Sequence, residues 1–598
     1  MRRLLLALLL VPAPLLRPAE QKRPPAEQHP AAPADPAERD PLLRAMQAEV
    51  RRARLLVGFG VAPYFLEVGV DESESVTLTA FMGASIAPRR AHFRVQRPFA
   101  RVGAANFDNT GYVGSEAFSG TRFDSDFIPV DNDVLCLRTA FWLGIDRAYK
   151  TAVEALGKKQ AAVNYFATQD RLPDFESAPK VIVLRDIREP AFDEAAWNRR
   201  VRMMSAAFRG RQGVLAADAE MTWGSGAVYY CNTEGTVLRF PDRLAMLRVR
   251  ALAQLEKGGE VYHGIQLTAL DPSGLPGDAE LERAAAQAAS ELEALAQAPE
   301  GEAYSGPVLF AARAAAQLFG EVFGQELALV RHPVTEQGRP VTVPQSGLEN
   351  KIGSRVLPTW MSLRDDATRK EWNGHRLAGF YEADFEGVVP VPVTLVENGI
   401  LKNYLTTRQP IKGGSGPNGH ARVPGPFGAR TARPGNLFVE AKETVTEAAL
   451  KQRFLDMVKQ QGKPYGLLVR RMDFPSMAAG AVAREILMRE ARSGGTRHFS
   501  PPQLLYRIYP DGREELVRGL RFRNLSVRDF RDILAAGDAP GVFDYIENGA
   551  PMALTGAANF IVGCSVAAPA VLFEELELEP QSLETARPPL VPIPSLVK

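Results

Sequence analysis

The chain has 598 residues, of which 45% are apolar and 24% charged, and 71 Lys and Arg against 70 Asp and Glu give a formal charge of +1. At roughly 100 to 200 residues per domain, this is the profile of a globular protein of about two to four domains, and its neutrality argues against a nucleic-acid binder held by phosphate contacts. No apolar run reaches the length of about 18 residues that a membrane span needs, and three cysteines without a CxxC pair exclude a disulfide framework.

The N-terminus has the pattern of a secretory signal. Met1-Arg2-Arg3 precede a short apolar stretch over residues 4–16. We predict a signal peptide over residues 1–17 and a disordered Pro/Ala-rich tether over residues 18–41, because the tether cannot bury enough apolar surface to fold. The alternative is a disordered basic and apolar N-terminus. The signal predicts a periplasmic or secreted protein.

Hydrophobic periodicity predicts the elements of the first half. A helix begins at Pro41, and two antiparallel strands over 64–70 and 75–81 are expected to flank a turn at 71–74. A strand meander over 213–270 contains a turn at 232–235. The other expected elements are a long helix over 134–159, a short buried strand over 180–185, and helices over 193–208 and 278–297.

The second half is expected to be mostly strands. A helix is predicted over 308–323 and another near 447–461, and strands with Gly/Pro loops fill the chain from residue 340. The fold class is therefore α+β, with an N-terminal mixed α/β domain over residues 42–300 and a β-rich C-terminal domain over residues 301–598.

Local spacing identifies no catalytic motif. The two closest histidines, His332 and His375, are 43 positions apart, so no HExxH pair exists, and no GxSxG elbow occurs. The Gly-rich segment 413–419 is predicted to be a mobile loop that could serve as a lid. The carboxylate pairs Asp365–Asp366 and Asp384–Glu386 could do acid/base work, but such pairs at strand ends are expected to be solvated.

Several segments together resemble the TldD/PmbA family of zinc metallopeptidases and their inactivated homologues. The residues at 379–387 end in the family's Asp-x-Glu-Gly, and those at 393–405 are similar to its L-I-E-N-G-x-L-K-x-Y-L hairpin. The resemblance spans about residues 45 to 580 and implies a C-terminal domain of the TldD/PmbA type. Its remaining segments are 232–235, 346–358, 436–439 and 568–577.

The resemblance also locates the family's zinc site. Active members bind zinc through two His of an HExxxH helix and a Cys of a late Gly-rich loop, and the helix Glu is the general base. Those helix positions fall on Ala311, Ala312 and Ala316, whose methyl groups cannot bind a metal. The loop at 550–559 contains no cysteine, and Cys564 is interpreted as a buried thiol. We therefore predict no catalytic, metal-binding or cofactor-binding residue and no cofactor, although active members carry zinc.

The leading hypothesis is a noncatalytic peptide-binding or partner subunit of a proteolytic assembly. The resemblance implies a homodimer, or a heterodimer with a TldD/PmbA homologue, around a cavity that admits an extended or unfolded peptide. One alternative is an active metallopeptidase that hydrolyses unfolded peptides with ligands drawn from His332, His375, His420 or carboxylates. Another is a secreted scaffold protein with no peptide role. Neither nucleic acid nor a membrane span is expected.

Overall fold

The computed structural model describes residues 39–56, 58–113, 126–163, 172–256, 259–336, 346–424, 430–473, 499–547 and 562–581. The predicted signal peptide, the predicted tether up to residue 38 and the loop at 550–559 lie outside these ranges. Within them, no helix is both long and apolar enough to cross a bilayer.

Six α-helices form in the described residues; five bury one apolar face, whereas α5 is buried on nearly all sides. Aspartate or threonine caps several of them, since Asp40 accepts hydrogen bonds from the first amides of its helix and Asp193 and Thr446 do the same in theirs. The positions confirm the helices predicted from residues 41, 134, 193, 278 and 447. The six are α1 (Pro41–Ala53), α2 (Val134–Val163), α3 (Glu194–Ala206), α4 (Asp278–Gln297), α5 (Ala312–Glu326) and α6 (Glu447–Gln460).

An eight-stranded sheet occupies the first half of the chain. Its main path runs β3-β2-β1-β7-β8-β6, and β5 and β9 pair with β2 and β8. The predicted meander is confirmed as β7 to β9. The strands are β1 (Pro63–Phe81), β2 (Ala84–Ala104), β3 (Phe107–Asp108), β5 (Asp126–Ile128), β6 (Ile182–Leu184), β7 (Val214–Asn232), β8 (Val237–Gln254) and β9 (Glu260–Ala269), and β4 (Tyr112–Val113) lies outside this sheet.

The turn predicted at 71–74 is wrong. Strand β1 runs through these residues without a break, and the hairpin turns at Met82 and Gly83, whose φ angles of 48° and 87° suit a type I′ turn. Arginines of β2 neutralise the acidic residues, because Arg97 donates to Asp71 at 2.6 Å and Arg94 to Glu72 at 2.9 Å. The acidic residues that suggested a turn in the sequence are instead paired with arginines of the neighbouring strand.

Strand β6 forms where a strand was predicted over 180–185, but it is not buried. It pairs in parallel with the start of β8 at the sheet edge, and Ile182 is 58% exposed. The turn at 232–235 is confirmed, since Asn232 Oδ1 accepts hydrogen bonds from the amides of Glu234 and Thr236. An apolar tripeptide alone does not distinguish an edge strand from an interior one.

Two larger sheets form after residue 300. The seven-stranded sheet runs β22-β21-β20-β10-β27-β23 with β24 on β27, and the six-stranded sheet runs β16-β15-β12-β19-β26-β25. The first comprises β10 (Tyr304–Phe310), β20 (Gly466–Met472), β21 (Pro502–Ile508), β22 (Glu514–Val517), β23 (Leu520–Phe522), β24 (Ile533–Ala536) and β27 (Val571–Pro580). The second comprises β12 (Met361–Asp365), β15 (Val393–Glu397), β16 (Ile400–Leu401), β19 (Asn436–Ala441), β25 (Gly541–Glu547) and β26 (Val562–Ala568).

Short strand pairs complete the described structure. One of them joins the two halves, because β4 pairs with a strand that follows α5. The remaining strands are β11 (Val334–Thr335), β13 (Glu371–Trp372), β14 (His375–Arg376), β17 (Ala421–Pro424) and β18 (Arg430–Ala432), paired as β4 with β11, β13 with β14 and β17 with β18. The architecture confirms the α+β fold class.

The helix predicted over 308–323 begins later than expected. Val308 to Phe310 lie in β10, which pairs with β20 on one side and β27 on the other. A strand enclosed by neighbours carries an uninterrupted apolar run, and such a run cannot be told from a buried helix by periodicity. Helix α5 starts at Ala312 and packs against β25 and β26 of one sheet and β20 of the other.

Substitution of Ala316 tests this packing. Ala316 is fully buried in α5, so Ala316→Asp places an uncompensated carboxylate in the core and should lower the free energy of unfolding by about 3 to 5 kcal/mol. The control is Ala286→Asp at an exposed position of α4, which should cost about 1 kcal/mol or less. Urea unfolding of both variants gives the comparison. Equal stability of the two would contradict the closed packing of α5.

Candidate functional site

The three positions predicted for the family's zinc ligands and base lie in the first turns of α5. Ala311 is the N-cap residue and offers no side-chain hydrogen bond, and its own amide donates to the Val469 carbonyl at 2.9 Å. Ala311 and Ala312 are half-buried, whereas Ala316 is completely enclosed by the core. The three alanines therefore do not line one common pocket.

A shallow cleft opens beside this helix end, and the space between its lining atoms is about 410 Å³ when the open solvent above it is included. Four elements from three sheets and one helix form it: β9, the end of β20, the start of α5 and β25. The lining residues are Gln266, Arg313, Ala314, Gln317, Arg470, Arg471, Met472, Phe543 and Asp544. The lining carries three arginines and one carboxylate.

The arginines differ in their partners. Arg470 forms an ion pair with Glu514 at 2.5 Å, and Arg471 donates to the backbone carbonyl of Gly264. Arg313 is solvent-accessible and has no hydrogen bond or ion pair with the described residues. Burial, followed by repulsion from Arg313, lowers the pKa of Arg471 to about 10. The cleft is electropositive.

Asp544 does not neutralise this charge directly. One carboxylate oxygen accepts from His375 Nε2 at 2.6 Å and the other from Ser565 Oγ at 2.6 Å. The hydrogen bond to Asp544 raises the pKa of His375, so the carboxylate already has a cationic partner as the pH falls. Arg313 remains without a bonded counter-charge among the described residues.

A second polar assembly lies under the motif residues. The expectation that the two carboxylate pairs are solvated is wrong, because Asp384 and Glu386 are each only 4% exposed and Asp365 and Asp366 are also buried. Asp384 accepts hydrogen bonds from the amides of Glu386, Val388 and Ala421. Glu386 accepts from the Arg408 amide at 2.6 Å. These bonds fix the motif loop to the segments around Arg408 and Ala421.

Ion pairs join this loop region to the N-terminal sheet. Arg430 donates to Glu67 of β1 at 2.7 Å, and Arg408 donates to Glu234 at 2.6 Å. The hydroxyl of Tyr230 donates to the other oxygen of Glu67 at 2.6 Å. The halves of the chain are therefore held together through buried charges.

The Gly-rich segment 413–419 is held in place by hydrogen bonds at its end and does not form a free lid. Asn418 and Thr406 exchange hydrogen bonds at 2.8 and 3.1 Å, and the Asn418 side-chain amide donates to the Tyr404 carbonyl. His420 follows in a closed site, where Nε2 lies 2.8 Å from Asp365 Oδ1. The Asp365–His420 pair is inaccessible to substrate, because both side chains are completely buried.

Residues 303–478 match the family model of the PmbA/TldA metallopeptidase C-terminal domain. This segment is similar to the TldD/PmbA family. The resemblance stated from the motifs is confirmed, and the matched segment contains β10, α5, β20 and the Asp384–Glu386 loop. No curated protein matches the chain in sequence.

Three solved structures extend the similarity to the whole fold. A proposed modulator of a DNA gyrase from Thermotoga maritima is 14% identical with a TM-score of 0.52, and the match covers 89% of this chain and 99% of that one. TldE from Thermococcus kodakarensis is 12% identical with a TM-score of 0.52 over 89% and 99%. A proposed modulator of DNA gyrase from Bacteroides thetaiotaomicron is 12% identical with a TM-score of 0.53 over 90% and 98%. At these identities the similarity shows the fold alone.

The three positions predicted for the zinc ligands and the base hold residues that do not fit a zinc ion. Alanine provides no donor atom, and the nearby Arg313 and Arg471 disfavour a cation. Cys564 is a buried thiol, as interpreted from the sequence, and its Sγ donates to the Pro434 carbonyl at 3.2 Å. Among the described residues, no three His, Cys, Asp or Glu side chains are grouped as metal ligands.

The histidines considered as replacement ligands are not brought together. His332 faces Glu349 at 3.7 Å, His375 bonds Asp544, and His420 bonds Asp365.

The sequence analysis did not identify the arginines of the cleft. The sequence sets these arginines apart only by their neighbours: Arg313 interrupts a run of alanines, and Arg470 and Arg471 follow four apolar strand residues. Neither pattern shows that the two segments meet.

The Asp384–Glu386 pair gives a pH prediction. Burial and then the charge of Glu386 raise the pKa of Asp384 from 3.8 to about 7. Between these values the folded chain retains a proton that the unfolded chain releases, so the free energy of unfolding should fall as the pH rises from about 4 to 7, by at most about 1.4 kcal/mol per pH unit for this group. Asp384→Asn should flatten this dependence while lowering stability, because the amide cannot accept all three backbone bonds. Urea unfolding at several pH values measures it.

The matched control for that measurement is Asp456→Asn on the exposed face of α6. It should keep the wild-type slope of stability against pH. A slope in Asp384→Asn equal to that of the wild type would show that Asp384 does not titrate in this window.

Proposed function

We propose that the protein is a noncatalytic TldD/PmbA-type subunit that binds extended or unfolded peptide and works beside a related chain. One observation carries the proposal. At the helix positions of the family's zinc ligands and base, this chain has Ala311, Ala312 and Ala316, and the cleft beside them is lined by arginines. This chemistry suits an anionic or polar ligand better than a divalent cation.

Strand edges beside the cleft support a peptide ligand. Among the described strands, β9 pairs only with β8 and β25 only with β26, and these two edge strands contact each other. An extended peptide binds a sheet edge through its own backbone groups, and this mode requires neither a metal nor a nucleophile. The cleft and the edges lie together, so one peptide could use both.

The partner in this proposal is a second copy of the chain or a zinc-bearing TldD/PmbA homologue. Exposed apolar side chains support association: on α2, Leu135 is 74% exposed and Trp142 and Leu143 are each 50% exposed, and on β5 Phe127 is 74% exposed. Apolar groups grouped on a surface favour contact with another protein. The proposed location is the periplasm or the exterior, on the basis of residues 1–17.

Metal content and peptide binding test the function. We expect purified protein to contain no stoichiometric zinc, to keep its melting temperature in EDTA, and to bind an unfolded peptide without hydrolysing it. The physical reason is that no metal-binding free energy contributes to folding when the ligand positions are methyl groups. The matched control is a TldD/PmbA homologue with an intact HExxxH helix, which should lose zinc and activity in EDTA.

Two results would contradict the proposal. One equivalent of zinc, with peptide hydrolysis lost on its removal, would favour the active peptidase with rearranged ligands. Failure to bind any extended peptide, alone or with a co-purified homologue, would favour the scaffold.

A further inference from the structure

We propose that the cleft at the start of α5 binds the terminal carboxylate of a peptide, with Arg313 as the residue that contacts the anion and Arg471 as the second positive charge. This inference rests on the proposed peptide-binding function and names the chemical group that is recognised. It assigns a ligand to a place where the family's zinc residues are absent.

The cleft carries unbalanced positive charge. Among the described residues, Arg313 has no ion pair or hydrogen bond, and Arg471 has no carboxylate within ion-pair distance. Asp544, the one acidic side chain of the lining, is already bonded by His375 and Ser565. Two guanidinium groups that repel each other inside one cleft gain free energy when an anion lies between them.

The N-terminal end of α5 lies at the same cleft. Ala312, Arg313 and Ala314 are the first residues of a 15-residue helix, and their amides have no intrahelical acceptor and no side-chain cap. Helix N-termini carry partial positive charge and favour bound anions. Gly541 allows β25 to pack directly against this helix end, since a Cβ there would lie 2.8 Å from the backbone nitrogen of Arg313. The helix end and the arginine of its own first turn thus belong to one wall of the cleft.

The edge strands indicate that the anion is part of a peptide. Strands β9 and β25 each supply residues to the lining. The β9 carbonyls of Tyr262 and Gly264 already accept side-chain hydrogen bonds, so a peptide that extends the sheet at β25 is the one that can place its last residue at the cleft. A guanidinium binds a carboxylate through two parallel hydrogen bonds, a geometry that a planar terminal carboxylate satisfies. An acidic side chain near the peptide end has the same chemistry, and the experiment separates these two sources.

The experiment measures binding of a fluorescein-labelled octapeptide of Ala, Ser, Thr and Val by anisotropy to the full chain. Three forms are compared: a free C-terminus, an amidated C-terminus, and an amidated form with Glu at the penultimate position. Wild-type protein should bind the free acid about ten- to a hundredfold more tightly than the amide. Arg313→Met, which keeps the apolar stem, should lose the same factor for the acid and nothing for the amide.

Arg453→Met is the control, because Arg453 is an exposed helical arginine of α6, and its affinity for the acid should stay within about twofold. Tight binding of the Glu-containing amide, lost in Arg313→Met, would assign the site to an acidic side chain and overturn the terminal-carboxylate proposal. Equal affinities for all three peptides, unchanged in Arg313→Met, would overturn the anion site and leave peptide binding intact. If no form binds, the proposed function itself fails.

Discussion

The buried ion pair between Arg430 and Glu67 is the interaction on which the arrangement of the two halves depends. It joins β18 of the second half to β1 of the first, and Tyr230 and Glu386 belong to the same polar cluster. Breaking such a pair leaves a buried charge without a partner and costs about 3 to 5 kcal/mol. The Asp-x-Glu-Gly motif therefore helps to join the first and second halves of this chain.

The cleft at the start of α5 depends on this joint, because its walls come from both halves. Strand β9 belongs to the N-terminal sheet, whereas β20, α5 and β25 lie after residue 300. Further bonds hold β9 in place, since Arg471 donates to Gly264 and the hydroxyl of Tyr262 donates to Asp473. A change in the relative position of the halves would open the cleft and separate Gln266 from Arg313.

Sequence patterns predicted the α+β class, five helix starts, the meander and the buried thiol of Cys564. These features depend on local periodicity or on a single residue's chemistry. The hairpin turn and the start of α5 were wrong because pairing partners decided them: Arg97 and Arg94 keep residues 71–74 in a strand, and β20 and β27 enclose Val308. The electropositive cleft could not be predicted, since it brings together residues 266, 313, 471 and 544. The domain division at residue 300 stays a prediction, as does export.

The central claim is that the start of α5 receives an anion where active family members hold zinc. The most direct measurement is a crystal structure of the protein grown with the free-acid octapeptide and soaked in zinc, with diffraction recorded at the zinc absorption edge. The account predicts peptide carboxylate density against Arg313 and no anomalous peak within the cleft. A zinc peak at the start of α5, with the peptide carbonyl beside it, would contradict the account.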